Sequence, residues 1–305
     1  MRPLRGIAMK LTSVTFFMVM SSLIKAVSDH IPAGESVFFR SAFAMPVIVV
    51  WLLSRGEFPA GLRIKSPFGH LLRGLLGTSN MGLSFAALAF LPLPEVTAIG
   101  YAAPLLTVVF AALLLGEQVR RFRISAVGLG LVGVTIVLAP NLTGLGHGDR
   151  DTAIGATFVL CGAVLSALAQ VWVRRLVTTE RVTAIVFYFS LSGSLLALVT
   201  LPWGWVVPTP AEAAMLVGCG LFGGIGQILL TSSYREADAS LIAPFEYSSM
   251  ILSLGIGYFI FAEVPTWATL GGAAIIVAAG LLIIWRESRL GLERARQRRA
   301  MTPLG

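Results

Sequence analysis

The amino-acid sequence predicts an all-α membrane protein with ten transmembrane helices. The chain has 305 residues, of which 56% are hydrophobic, and its mean hydropathy is +0.85. Only 12% of the residues are charged, roughly half the share found in a typical soluble domain. Apolar segments of about 20 residues, the length that crosses the hydrocarbon core, recur along the chain. These segments lack the alternation of apolar and polar residues that is typical of transmembrane β-strands.

The predicted spans are separated by short segments that contain Pro, Gly or charged residues. Together they occupy most of the chain and leave no room for a separate soluble domain. The ten spans are 5–27, 33–53, 69–90, 94–115, 123–139, 152–173, 182–201, 211–233, 239–261 and 266–285.

The 23 Lys and Arg residues predict how the spans are oriented. With a cytoplasmic N-terminus, only Arg150 falls in an outer loop and Lys25 and Arg40 lie within spans. The other 20, among them Lys10 and Arg73, are counted as cytoplasmic. The positive-inside rule therefore predicts that both termini are cytoplasmic. Because these basic residues lie in loops and in the C-terminal tail, the expected partner is the lipid bilayer and no nucleic acid is expected.

The two halves of the chain show a weak internal repeat. A shift of 143 residues aligns Glu95 with Asp238 and Gly128 with Gly271, and it aligns EVTAIGYAAP with DASLIAPFEY. The repeat predicts two five-helix units at 1–145 and 146–288, followed by a basic cytoplasmic tail at 289–305. Since five is an odd number, the second unit must enter the membrane inverted relative to the first.

Two segments carry a family resemblance. PLLTVVFAALLLGEQVRRFRISAVGLGLVGVTIVLAP resembles the end of an EamA domain, and APFEYSSMILSLGIGYFIFAEVPTWATLGGAAIIVAAGLLII resembles its counterpart in the second half. Over nearly its whole length the chain resembles the drug/metabolite transporter superfamily, and most of all amino acid exporters of the YddG type. It departs from the pattern at Ala262, where the first half has Gly116, and at Tyr247, the repeat partner of Pro104.

The resemblance implies a secondary transporter that exports a small metabolite by alternating access through a central cavity. The implied substrate is an amino acid, aromatic or otherwise apolar, and the implied location is the bacterial inner membrane. The fifth helix of each half would pack at the periphery. Closely spaced glycines on these two helices predict close helix contacts there: Gly128, Gly130, Gly133, Gly271 and Gly272.

Glu246 and Arg40 are the charged candidates for the site, because a charge within a span is expected to face the protein interior or water. Glu246 could bind a substrate amine or a coupling proton, or it could form a structural hydrogen bond near Pro244. Arg40 could pair with a substrate carboxylate or with a carboxylate of the protein, or it could reach the outer interface. The Lys25 side chain is expected to extend to the membrane interface. Glu117 and Glu263 are expected to be solvated charges at the ends of helices.

Polar and aromatic residues within spans extend the predicted cavity wall. Each could instead serve helix packing, inter-helix hydrogen bonding or an interfacial belt. The polar members are Asn80, Gln227 and Ser79; the aromatic and methionine members are Tyr101, Tyr188, Tyr234, Tyr247, Phe17, Met81 and Met250.

Pro104 and Pro244 lie in or near the fourth helix of each half. Proline removes a backbone donor and kinks a helix, so either residue could form a hinge or a static kink.

Motifs of catalysis are missing from the sequence. It contains no Walker A, HExxH or GxSxG motif, and Cys161 and Cys219 each lie in an apolar run. No cofactor, metal or enzymatic activity is therefore expected, and proton coupling is left open. The alternatives to amino acid export are a permease for another small solute or a drug, an intramembrane lipid-modifying enzyme and a passive channel.

Overall fold

The computed structural model describes residues 3–115, 121–142, 150–176, 179–236 and 242–301, and these form a bundle of helices. Short 3-10 helices cover Ala60–Leu62, Leu201–Trp203 and Ala243–Tyr247. The α-helices are α1 (Pro3–Val27), α2 (Ala33–Ser54), α3 (Pro67–Leu88), α4 (Leu93–Gly100), α5 (Ala102–Leu115), α6 (Arg121–Leu142), α7 (Arg150–Leu176), α8 (Val182–Leu198), α9 (Pro210–Glu236), α10 (Ser248–Phe261) and α11 (Trp267–Met301).

Every predicted span coincides with a helix or with two consecutive helical pieces, so the all-α class is confirmed. By length and composition, six described helical segments are long and apolar enough to cross a membrane. Shorter apolar helices cover Ile124–Pro140, Val182–Leu198 and Phe245–Phe261. The remaining span is α3, which is as long as α2 but carries His70 and Arg73 in its first two turns. Ten helical spans fit these elements, whereas the side on which the termini lie stays a prediction.

The fourth and ninth spans are each interrupted near a predicted proline. The fourth span divides into α4 and α5 at Tyr101, whose N–H bonds to the Ala98 carbonyl three residues earlier. Pro104 lacks the N–H that would otherwise bond to the carbonyl of Gly100, which accounts for a break at this point. The described part of the ninth span contains the 3-10 helix Ala243–Tyr247, which includes Pro244, and continues as α10. The prolines therefore lie at backbone irregularities, and hinge motion there stays a prediction.

Contacts that a helix of the first half makes with the second half recur for its counterpart in the second half, which contacts the equivalent helix of the first half. Helix α1 packs against α9, and its counterpart α7 packs against α3. In the same way, α2 contacts α9 while α8 contacts α3, and α10 contacts α1 while α5 contacts α7. The pairs α2–α8 and α6–α11 each join equivalent helices. This pattern supports two five-helix repeats; the boundary at residue 145 and the inverted insertion remain predictions.

Gly133 and Gly272 allow the fifth helices of the two halves, α6 and α11, to approach closely. A Cβ atom on Gly133 would lie 2.8 Å from the Gly272 carbonyl oxygen, and one on Gly272 would lie 2.6 Å from the Gly133 carbonyl oxygen. Both distances are too short for real Cβ atoms, so each position requires glycine. Gly130 packs against Leu105 of α5, whereas Gly128 and Gly271 face open space. The predicted close helix contacts are therefore found at Gly130, Gly133 and Gly272, and the prediction is wrong for Gly128 and Gly271.

Gly272→Ala should destabilise the protein because the added methyl group overlaps the backbone of α6. We expect a loss of about 1–3 kcal/mol in the free energy of unfolding, as for other overpacked interiors. Thermal unfolding of the purified protein in detergent measures it. Gly271→Ala is the matched control on the neighbouring residue and should unfold like the wild type. Equal melting temperatures for the two variants would contradict the close contact.

Candidate functional site

Lys10 and Glu246 form an ion pair that joins α1 in the first half to the start of the ninth span in the second half. The Lys10 Nζ atom contacts Glu246 Oε2, and the Lys10 side chain is only 2% exposed, whereas that of Glu246 is 47% exposed. A buried cation therefore faces a carboxylate that remains accessible. Lys10, which is counted with the cytoplasmic charges, lies about two turns inside α1 and is buried in the bundle; the side of the membrane on which it lies stays a prediction. The place of Lys10 within the predicted span 5–27 was the available signal for its burial.

A second ion pair links the other end of α1 to the other end of the ninth span. Lys25 Nζ lies 2.8 Å from Glu263 Oε1 and also donates to the carbonyl oxygens of Leu88 and Leu91. Glu263 Oε2 accepts the backbone N–H of Leu93 at 2.9 Å. The expectation that Glu263 is a solvated helix end is wrong, whereas the position of Lys25 at the interface stays a prediction. Each charge is largely buried and is stabilised by the other.

The two ion pairs lie about 22 Å apart along α1, because Lys10 and Lys25 are separated by fifteen residues. We call them the α1 ion pairs. The Lys25–Glu263 pair borders a cleft of about 260 Å³, and an adjoining cleft of about 150 Å³ lies between the end of α1, the start of α2 and the end of α3. One α1 ion pair is thus located at the mouth of an opening in the bundle.

Four of the predicted cavity residues meet where the fourth and ninth spans cross. The Tyr101 hydroxyl lies 2.6 Å from Ser249 Oγ, and the Tyr101 and Tyr247 rings are 5.1 Å apart in an edge-to-face arrangement. Met250 is buried in the same apolar cluster as Tyr101. Since Glu246 precedes Tyr247 in the chain, its carboxylate lies at the edge of this aromatic group.

The polar residues of the third helix in each half do not converge in this way. The Asn80 side chain faces Gly162 of α7, and its Oδ1 accepts a hydrogen bond from Ser84. Ser79 is exposed and Gln227 is half-buried. Asn80 therefore lies at the α3–α7 contact, as expected for inter-helix packing, and a direct role in binding stays a prediction for these residues.

The remaining aromatic and methionine candidates are distributed over two regions. Phe17 packs against Gly226 and belongs, with buried Met81, to a second apolar cluster. Tyr188 lies elsewhere, with its ring 5.3 Å from that of His70. The side chains of Tyr234 and Pro244, and the whole of Glu117, lie outside the described part of the structure.

Arg40 and Arg73 place two guanidinium groups in the interior, and we call them the arginine pair. Arg40 is 3% exposed, so it does not reach the outer interface, which had been one of its interpretations. The guanidinium carbons of Arg40 and Arg73 lie 5.5 and 4.1 Å from the centre of the Phe189 ring. Arg73, which is counted with the cytoplasmic charges, has its Nε and Nη1 atoms buried in the bundle, as its place within the predicted span 69–90 could have signalled; the side of the membrane on which it lies stays a prediction.

Glu180 anchors the connection between α7 and α8 to the start of α3. Its Oε1 atom accepts the backbone N–H groups of Lys65 and Ser66, at 2.8 and 2.6 Å, and its Oε2 lies 3.7 Å from His70 Nε2. Burial raises the pKa of Glu180, but the two backbone hydrogen bonds and His70 lower it further, so the pKa lies below its ordinary value of 4.5. The ionised form therefore stabilises the fold.

Glu180→Gln should lower the melting temperature at pH 7, because the amide is a weaker acceptor than the carboxylate. A carboxylate with a lowered pKa stabilises the fold above its unfolded pKa, and this contribution is lost as pH falls through the folded value. The difference from the wild type should therefore shrink on acidification below about pH 4.5. Glu57→Gln, at the more exposed Arg55–Glu57 pair, is the control and should change stability little. A pH-independent difference would contradict this role of Glu180.

Lys10→Met, Glu246→Gln and the double variant test the first α1 ion pair. We expect the double variant to lose less stability than the two single variants combined, with a coupling of about 0.5–3 kcal/mol. Arg5 and Glu236 join α1 to α9 through a more exposed pair, 3.6 Å long, and the same cycle there should give a coupling near zero. Additive losses in melting temperature at Lys10 and Glu246 would contradict the interaction.

Comparisons with known proteins fit this architecture. The profile of the EamA-like transporter family matches residues 4–139 and again residues 153–285, and a profile of solute carrier family 35 matches residues 95–203. A solved crystal structure covers 93% of this chain and 98% of its own, with a TM-score of 0.67 at 21% identity. At that identity the likeness shows the shared fold.

The curated relatives transport different small molecules. A pseudopaline exporter of Pseudomonas aeruginosa is 30% identical, covering 90% of this chain and 94% of its own. An S-adenosylmethionine uptake transporter of Rickettsia prowazekii is 27% identical over 94% of both chains, and a riboflavin transporter of Rhizobium johnstonii is 29% identical over 85% and 83%. These relatives are membrane transporters and not enzymes, and none of the three is named for amino acid export. The chain is a member of the EamA-like transporter family.

Proposed function

We propose that this transporter exports a small amino-acid-like metabolite by alternating access between its two halves. The observation that carries the proposal is the pair of α1 ion pairs. They tie a helix of the first half to one span of the second half at both ends, and the Lys25–Glu263 pair borders a cleft. Opening the bundle at one end separates the charges at that end, while the pair at the other end keeps the path closed.

The proposed substrate is an amino acid with an aromatic or other apolar side chain, or a derivative of one. The Tyr101–Tyr247 pair beside the accessible Glu246 carboxylate supports this choice, because aromatic faces and an acidic group suit an apolar side chain and an amine. The names of the relatives widen the range to other small solutes, so a permease for such a solute or a drug is the alternative. The pseudopaline exporter supports the outward direction, whereas the uptake relatives favour the reverse.

Glu246 is the proposed point of coupling between the substrate and the conformational change. A substrate amine or a proton that binds Glu246 competes with Lys10 for the carboxylate and so weakens the ion pair. If a proton is the competitor, transport is coupled to the proton gradient; if only the amine competes, the protein is a facilitator. In either case both termini lie in the cytoplasm of a bacterial inner membrane, in accord with the distribution of basic residues.

Counterflow in proteoliposomes tests the carrier and its substrate together. Vesicles loaded with unlabelled phenylalanine, tryptophan, leucine or methionine should accumulate the same labelled amino acid transiently, which a channel does not support. Glu246→Gln should reduce the initial rate at least about tenfold, because the neutral amide neither pairs with Lys10 nor binds an amine as a carboxylate does. Glu236→Gln, at the more exposed pair on α9, should retain transport.

Repeating the counterflow at several internal and external pH values tests proton coupling. A rate that follows the imposed pH gradient supports coupling through Glu246, and a rate independent of the gradient supports a facilitator. Fluxes far above the turnover of a carrier, without counterflow, would indicate a passive channel and contradict the proposal. Unimpaired transport by Glu246→Gln would contradict the role of this residue.

A further inference from the structure

The arginine pair lies among polar atoms that have no hydrogen-bonding partner. Nε and Nη1 of both Arg40 and Arg73 are buried, and neither atom of either residue bonds to any other described residue. The hydroxyl groups of Ser41, Thr78 and Ser190 are also buried without a partner. Five polar side chains of α2, α3 and α8 thus share one unsatisfied region of the interior.

The backbone around these groups brings them together. Arg40 lies about two turns from the start of α2 and Arg73 about two turns from the start of α3, and both reach Phe189 at the middle of α8. A Cβ atom on Gly193 would lie within 3.5 Å of Thr78 Oγ1 and still closer to Ser41 Oγ. Arg73 likewise occupies the space that a side chain at Gly77 would need. Small residues on α3 and α8 therefore make room for the cations and the hydroxyls.

Buried cations and hydroxyl groups that lack hydrogen-bonding partners raise the free energy of the folded protein. Buried charges in a membrane protein are normally paired, yet neither Arg40 nor Arg73 forms an ion pair with a described carboxylate. Glu180, on the connection between α7 and α8, is bound by two backbone N–H groups and faces His70. The Phe189 ring offsets part of this cost through cation–π contacts with both guanidinium groups. These contacts do not provide hydrogen-bond acceptors for the unsatisfied N–H groups.

We propose that Arg40 and Arg73 bind a carboxylate group of the transported metabolite, with Ser41, Thr78 and Ser190 as further donors. This inference rests on the proposed function, because an amino-acid-like substrate supplies the carboxylate. Guanidinium groups match the planar geometry of a carboxylate and form charge-assisted hydrogen bonds with it. Arg40 lies near Met20 and Glu246 contacts Lys10, two residues of α1 that are about 15 Å apart along the helix. An α-amino acid, whose carboxylate and amine share one carbon atom, would therefore contact the two sites in turn and not at the same time.

Access to the arginine pair depends on α1. The Arg40 Nε atom and the Met20 sulfur atom of α1 both lie against Gly223 of α9. A displacement of α1 therefore uncovers Arg40, and the α1 ion pairs hold this helix in place. The carboxylate site and the opening of the bundle are linked through the same helix.

Thermal unfolding of the full-length protein in an uncharged detergent tests the site without any transport measurement. Sodium succinate, at constant ionic strength against sodium chloride, should raise the melting temperature of the wild type in a saturable manner. In Arg40→Gln and Arg73→Gln the apparent Kd should weaken at least about tenfold, and Arg40→Lys and Arg73→Lys should restore only part of the affinity. Arg55→Gln is the matched control directly after α2, because the Arg55 side chain is 41% exposed and pairs with Glu57; it should respond like the wild type.

The same measurement separates binding from a merely structural role. Without succinate, Arg40→Gln and Arg73→Gln should melt no lower than the wild type, since each removes an unsatisfied buried cation. A lower melting temperature with an unchanged succinate response would overturn the proposal. An equal response to succinate in all variants would also overturn it. The same measurement with phosphate, with sulfate and in phosphatidylglycerol nanodiscs completes the test. A protein that is stabilised by these anions or by the lipid, but not by succinate, would contradict a carboxylate site.

Counterflow distinguishes this inference from the proposed function. If succinate binding requires both arginines but no amino acid undergoes counterflow, the proposed function fails and the anion site stands without its assigned substrate. If counterflow persists at the wild-type rate in both glutamine variants, the arginine site is overturned and the transport proposal stands.

Discussion

The cost of placing a charge in the low-dielectric interior of a membrane bundle shapes this protein more than any other interaction. Lys10 and Lys25 meet this cost by pairing with Glu246 and Glu263, two carboxylates from one span of the opposite half. The same helix pair is thereby joined at both ends. Because an ion pair separates only when another charge, a proton or water replaces its partner, these contacts give the bundle discrete points at which it can open.

The arginine pair does not follow this pattern. Its unsatisfied N–H groups are buried near Phe189 of α8, in the opposite half. The hydroxyl groups of Ser41, Thr78 and Ser190 are likewise buried without a hydrogen-bonding partner among the described residues. Paired charges at the two ends and unpaired charges in the centre suit different purposes. The paired charges hold a conformation, whereas the unpaired ones are available to a ligand. Met20 of α1 and Arg40 both pack against Gly223 of α9, so the helix that carries the paired lysines also lies near one member of the arginine pair.

The packing of small residues makes these arrangements possible. Gly133 and Gly272 hold the fifth helices of the two halves together at the periphery, and Gly193 and Gly77 leave space for polar groups inside. The related transporters named for pseudopaline, S-adenosylmethionine and riboflavin align with this chain over most of their own length. A common helical scaffold is therefore compatible with different small molecules, and the side chains that project into it are where selectivity is expected to arise.

The sequence by itself determined the helical class, the ten spans and the family, because hydropathy and segment length are local properties that the bilayer constrains directly. It also predicted a site between the halves near Asn80, Gln227, Tyr101 and Glu246, whereas the structure places Asn80 at the α3–α7 contact. Lys10 and Arg73 were assigned to the cytoplasmic side although both lay within predicted spans. Their partners come from other helices, and the direction of a long side chain depends on how each helix is rotated and packed. Only the tertiary structure therefore decided which of these charges are paired, and that Nε and Nη1 of Arg40 and Arg73 have no hydrogen-bonding partner among the described residues.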